Sequence, residues 1–183
     1  GGALAICYAA EHPEIVSALV VVEAAPEVLR SGVENLRRLL TAGETWASFD
    51  DAVDAFAPHI PGASHEQLER RVRGALIQNE DGTFTWGFDE AFRDPSIRPP
   101  DPDPGQRRLS DLWDSADRVQ CPTMIVRGQD TDMLTPEAIQ RLHRRIAGSR
   151  VSLIEDAGHN VPTDQPSSLA LNIREFLQSI AAI

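Results

Sequence analysis

An α/β fold, with three parallel strands, flanking helices and one helical insertion, is what this sequence predicts, and three observations carry the prediction. Three short apolar runs rich in β-branched residues recur, at Ala18 to Val22, Thr123 to Val126 and Val151 to Ile154. Segments with helical spacing precede or separate them. Each run also ends in small or polar residues: Glu23-Ala24-Ala25 after the first, Arg127 to Asp132 after the second, and Glu155 to His159 after the third. In a parallel sheet those three ends share one edge, the carboxyl edge, where ligands bind and chemistry takes place.

Gly1 to Glu11 is apolar on nearly every face and reads as a buried helix, stopped by His12-Pro13. Ala18 to Val22 reads as a fully buried strand. Helical patterns then recur at Val33 to Leu40, Phe49 to Ala57 and His65 to Ile77. Asp81-Gly82, followed by the alternating Thr83-Phe84-Thr85-Trp86, predicts a small hairpin. Arg98 to Gly105, RPPDPDPG, is a Pro-rich connector that continues neither helix nor sheet. Asp111 to Val119 reads as a short helix. After the second strand, Thr135 with Pro136 and Glu137 has the chemistry of a helix start, and that helix is expected to run to about Ala147, before Gly148. The last helix, Pro166 to about Ile180, aligns Leu169, Ile173, Phe176, Leu177 and Ile180 on one stripe. The chain therefore divides into core residues 1–26, an insertion over 27–105, and core residues 106–183. Most of the aromatic residues fall in the insertion (Trp46, Phe49, Phe56, Phe84, Trp86, Phe88 and Phe92), and most of these are expected to form its own small core.

Composition narrows the function. The 183 residues carry a formal net charge of −11, and all 17 basic residues are Arg. An acidic chain without a basic cluster argues against nucleic acid or an anionic membrane as partner. Cys7 and Cys121 show no metal-ligand spacing and suit a reducing compartment such as the cytoplasm. No apolar run approaches the roughly 20 residues that span a bilayer.

Arg150 to Pro166, RVSLIEDAGHNVPTDQP, carries the clearest functional signal: a strand, an Ala-Gly turn, a histidine and then a helix. Gly158-His159-Asn160-Val161-Pro162, with Asp164-Gln165-Pro166 behind it, resembles the histidine loop of the α/β-hydrolase superfamily. Gly1-Gly2, a small-residue helix, His12-Pro13 and a strand resemble the segment just past the nucleophile elbow of that superfamily, G-x-S-x-G. The resemblance implies a C-terminal portion of an α/β-hydrolase, with residues 27–105 as its cap. It places the nucleophile two positions before Gly1, outside this chain. It also implies that His159 is the general base of a Ser-His-Asp esterase or lipase-like machine that needs no cofactor and no metal. The chain alone is then expected to be inactive.

The acid partner of His159 is expected at the same sheet edge, on the neighbouring strand. In families that this chain resembles the acid lies a few residues past a Gly, as in G-x-x-x-D. That resemblance favours Asp132 behind Gly128, with Asp130 next, and Glu23, at the end of the earlier strand where some relatives keep their acid, as third choice. Other readings stay open. The elbow could hold an Asp nucleophile, as in epoxide hydrolases and haloalkane dehalogenases. The scaffold also serves cofactor-free peroxidases and C–C hydrolases, and a non-catalytic binding relative would carry no nucleophile at all.

Overall fold

The structure, a computed structural model, describes residues 1–41, 43–60, 62–89 and 106–181. In chain order the elements are α1 (Gly2–Glu11), β1 (Leu19–Val22), α2 (Arg30–Leu40), β2 (Thr45–Trp46), α3 (Phe49–Phe56), α4 (His65–Ala75), β3 (Leu76–Gln78) and β4 (Phe84–Trp86). They continue with α5 (Gln106–Arg118), β5 (Thr123–Gly128), α6 (Pro136–Arg145), β6 (Arg150–Ile154), α7 (Val161–Asp164) and α8 (Pro166–Ala181). They form two compact units, Gly1–Arg30 with Asp103–Ile183, and Ser31–Pro102. The Pro-rich run over 98–105 and Phe92 lie outside the described residues.

In the first unit, β1, β5 and β6 form a parallel sheet in the order β1-β5-β6. Val20 and Val22 sit beside Met124 and Val126 in register, and Val21 sits beside Ile125. The period-2 pleat therefore sends Met124 and Val126 to one face, where they pack with Ile154, Ala157, Val161, Leu169 and Phe176. α1 packs against α5. Burial departs from the apolar pattern in three elements. β1, expected to be fully buried, buries Leu19 and Val21 and leaves Val20 and Val22 half-buried, because alternate residues face opposite sides of the sheet. β6 is buried at Ile154 only, with Val151 and Leu153 exposed, because strand alternation turns Ser152 and Ile154 towards α8 and the other pair away. α1 buries Ile6 and Ala9 but exposes Leu4 and Tyr8.

Helix ends obey local chemistry. Thr135 accepts the Ala138 N–H at 3.0 Å and caps α6, with Pro136 in the first turn. α6 stops at Arg145, two residues earlier than expected, where Ile146 turns extended before Gly148 at φ +70°. α5 begins at Gln106, earlier than the pattern from Asp111 indicated. Among the described residues no helix is long and apolar enough to cross a membrane.

The second unit has its own core, in which Trp46, Phe56 and Trp86 meet with ring centroids 5.3–5.9 Å apart. Around them β2, β4 and β3 form an antiparallel sheet in the order β2-β4-β3. The expected hairpin is β3–β4, and Gly82 takes φ +88° in its turn. Asp81 accepts both the Thr83 hydroxyl, at 2.6 Å, and the Thr83 N–H, at 3.0 Å, and these bonds hold its carboxyl below the usual range. Leu76 to Gln78 belong to this hairpin and not to α4, as the helical pattern to Ile77 had indicated. Pairing of Ile77 with Thr85 outweighs helix propensity at the end of α4. The three-residue Ala57–His59 turn after α3 is 3₁₀.

Candidate active site

All three candidate positions stand at the carboxyl edge of the β1-β5-β6 sheet. Glu23 is the residue after β1, the loop 129–134 comes after β5, and His159 is reached from β6 by way of Asp156-Ala157-Gly158. That last turn is tight. Asp156 takes φ +52°, the Asp130 N–H donates to Ala157 O at 2.9 Å, and the Gln129 N–H donates to Ile154 O at 2.8 Å. Asp164, 2% exposed, accepts the Gly158 N–H through Oδ2 at 2.9 Å, so α7 braces the residue next to His159.

The carboxylate beside His159 is that of Glu23. Its Oε2 lies 3.1 Å from His159 Nδ1, with the glutamate side chain 2% exposed and the imidazole 41% exposed. Two further donors surround the same carboxylate. The Gly128 N–H reaches Oε1 at 2.6 Å, and the Thr131 hydroxyl reaches Oε2 at 2.7 Å. A buried carboxylate is costly unless it is hydrogen-bonded, and three donors meet that condition here. A carboxylate only accepts, so the Nδ1 that faces it carries a proton, and in the neutral imidazole Nε2 is then the acceptor. Glu23 itself sits at φ +50°, a left-handed conformation that costs a non-glycine residue about 1–3 kcal/mol and clusters at functional sites.

Glu23 reaches a strand that is not its neighbour. β5 lies between β1 and β6, so two interstrand spacings, about 9–10 Å, separate their axes. The glutamate crosses the end of β5 at Gly128. A side chain on Gly128 would fill space already taken, since a Cβ there would lie 2.3 Å from Gly158 O and 2.4 Å from Ala157 O. Asp130 and Asp132, ranked ahead of Glu23 from spacing, are exposed in the β5–α6 loop, whereas Thr131 between them is buried and turned towards Glu23. The carboxylate of Glu23, the candidate ranked third, contacts His159. Thr131, Gly128 and Asp164 were missed as parts of the site. Gly128 had left a mark in the sequence as the start of a spacing, and Asp164 as part of the histidine-loop pattern, but Thr131 had left none. Arg127 steadies the loop, donating from Nε and Nη2 to Leu134 O at 3.2 and 3.1 Å and from Nη1 to Gln129 O at 3.2 Å.

The start of α1 comes to the same edge. A Cβ on Gly2 would lie 2.3 Å from the Cβ of Ala24, the residue after Glu23, so this approach requires glycine. Among the described residues no group of three or more His, Cys, Asp or Glu is arranged to hold a metal ion.

A parallel sheet with a buried carboxylate and a histidine paired at its carboxyl edge is an α/β core with polar groups where such folds bind ligands. The model of the alpha/beta hydrolase family matches residues 1–170, and the chain belongs to that family. Over 98% of its length it is 28% identical to the esterase Rv0045c of Mycobacterium tuberculosis, covering 58% of that protein. It is 25% identical to the 3-hydroxybutyrate-oligomer hydrolase of Cupriavidus necator, over 93% of this chain and 60% of that one. The crystal structure of Rv0045c superposes with a TM-score of 0.67 at 30% identity, covering 97% of this chain and 58% of that chain. An alpha/beta hydrolase from Novosphingobium aromaticivorans, 22% identical, shares the fold with a TM-score of 0.78 over 96% of this chain and 62% of its own. The chain thus spans about three fifths of the length of these relatives.

Proposed function

We propose that this chain is the acid- and base-bearing part of a serine hydrolase that cleaves esters of small molecules, with His159 as general base and Glu23 as the acid of the triad. The observation that carries the reading is the 3.1 Å contact between His159 Nδ1 and the buried, triply bonded Glu23. The nucleophile is assigned to residues outside this chain. The close approach of Gly2 to Ala24 supports that assignment, because it brings the start of α1 to the sheet edge where an elbow serine would precede it.

The chemistry is set by the tautomer. With its proton held on Nδ1 by Glu23, His159 accepts the serine proton at Nε2 as the hydroxyl oxygen attacks the ester carbonyl. Glu23 stabilises the imidazolium that forms. The imidazolium then returns its proton to the leaving alcohol, leaving an acyl-enzyme, and His159 activates the water that hydrolyses it. The similarity to the esterase Rv0045c supports an ester as the scissile bond. Residues 27–105 are assigned the role of cap, which the family resemblance implies.

The test is Glu23→Gln in the complete protein, compared with Asp132→Asn and Asp130→Asn on a small activated ester. If the new amide nitrogen faces His159, the imidazole is forced into the wrong tautomer. If it faces Gly128, two donors collide. Turnover should fall about 10⁴-fold, the size of the wrong-tautomer effect in serine proteases. The two aspartate variants should stay within about threefold of wild type, since both side chains are exposed. A collapse in Asp132→Asn with Glu23→Gln near wild type would return the acid to the β5 loop.

A further inference from the structure

Thr131 makes two contacts that together fix the direction of its hydroxyl hydrogen. The Met133 N–H donates to Thr131 Oγ1 at 3.2 Å, and Oγ1 lies 2.7 Å from Glu23 Oε2. An amide nitrogen can only donate, so Met133 occupies a lone pair of the hydroxyl and leaves its single hydrogen for the carboxylate. Met133 is itself tied down, since its carbonyl accepts the Leu29 N–H at 2.8 Å and α6 begins just beyond it at the Thr135 cap. Oε2 therefore receives Thr131 O–H and His159 Nδ1–H together, while Oε1 receives the Gly128 N–H.

These contacts govern rotation of the carboxylate. Glu23 has a long side chain crossing a strand end, and its carboxyl plane is free to turn about its last torsion unless both oxygens are held. The Gly128 N–H holds one. The other oxygen faces His159, whose imidazole is 41% exposed and could move with it, so the buried Thr131 hydroxyl is the donor that holds Oε2 in place. We propose that Thr131 is a positioning residue: its hydroxyl, aimed by the Met133 amide, locks the Glu23 carboxylate in the rotation that keeps the His159 proton on Nδ1. This rests on the assignment of Glu23 as triad acid and adds a residue to it. It also accounts for a buried threonine between two exposed aspartates in the β5–α6 loop.

The experiment uses the complete protein and four variants: Thr131→Val, Thr131→Ser, Glu23→Gln and the double variant Glu23→Gln/Thr131→Val. Thr131→Val keeps the shape and removes the donor. It should lower kcat by about 10- to 100-fold, the range expected when a catalytic group is displaced by up to about 1 Å, with KM within about twofold. Thr131→Ser should recover kcat to within about threefold of wild type. In the Glu23→Gln background, Thr131→Val should change kcat by less than about twofold, because the residue it acts through has already been disabled. Thr131→Cys, the size of serine with a weak donor, replaces the valine variant if that one does not fold. Wild-type kcat in Thr131→Val or Thr131→Cys overturns the proposal, and so does a serine variant as impaired as valine, or a full additive loss in the double variant. Glu23→Gln separates the two levels. If it is inactive while Thr131→Val is normal, only the role of Thr131 falls. If Glu23→Gln is active, the triad assignment falls and takes this proposal with it.

Discussion

Gly128→Ala tests the geometry of the site without touching a titratable group. A Cβ at this position would lie 2.3 Å from Gly158 O, 2.4 Å from Ala157 O and 2.9 Å from Ala157 C, whereas ordinary contact begins near 3.4 Å. All three atoms are backbone, so no side chain can rotate out of the way. Either the Ala157-Gly158 turn or the end of β5 must retreat by about 1 Å, a displacement that can cost about 10²-fold in rate when it reaches catalytic groups. Two anchors oppose the retreat: the Asp130 N–H on Ala157 O at 2.9 Å and the Gln129 N–H on Ile154 O at 2.8 Å. Overpacking of this kind destabilises by about 1–3 kcal/mol. His159 comes directly after Gly158, and Gly128 N holds Glu23, so the shift separates Glu23 from His159. The expected outcome in the complete protein is a fall in kcat of about 10²-fold with a lower thermal midpoint, measured by ester hydrolysis and by circular dichroism melting. A Gly128→Ala protein with wild-type kcat and an unchanged midpoint would refute the claim that this glycine sets the spacing between the two loops.

Other outcomes rest on single contacts. Asp164→Ala removes the buried acceptor of the Gly158 N–H and should cost about 1–3 kcal/mol in chemical denaturation, with a loss of turnover as the histidine loop loosens. Trp86→Phe leaves Gly43 O without the indole donor now 2.8 Å away and should destabilise the Ser31–Pro102 unit by about 1 kcal/mol or more, read as earlier loss of near-ultraviolet circular dichroism. The Asp81 carboxyl is held below its usual value of 3.8 by the Thr83 hydroxyl and N–H. The stability it contributes is therefore present above that value and lost as pH falls through the lower folded one, so the gap in thermal midpoint between wild type and Asp81→Ala should exist at neutral pH and close in acid. Residues 1–183 expressed alone should show no hydrolysis of a small activated ester. Turnover by this chain would place the nucleophile within it.

The order of elements and the turn that carries His159 were legible in the chain itself. β-branched runs at Ala18 to Val22, Thr123 to Val126 and Val151 to Ile154 are local signals, and the strands formed there in parallel. The Ala157-Gly158-His159 turn and the Thr135-Pro136 helix start depend on a few adjacent residues, so spacing was enough to read them. Other features had no local signature. That Val151 and Leu153 are exposed depends on which face of β6 meets α8, and the hairpin's claim on Leu76 to Gln78 depends on pairing with β4. The partner of His159 was the hardest to read. Spacing along the chain points to the aspartates on the adjacent strand, but the fold turns both of them outward, buries Thr131 between them and leaves the end of β5 bare at Gly128. A glutamate two strands away then reaches across that gap to His159, 136 residues along the chain. Only the packing of three strand ends in space brings these residues together, because the groups that solvate the buried carboxylate come from two different loops and no short segment contains them.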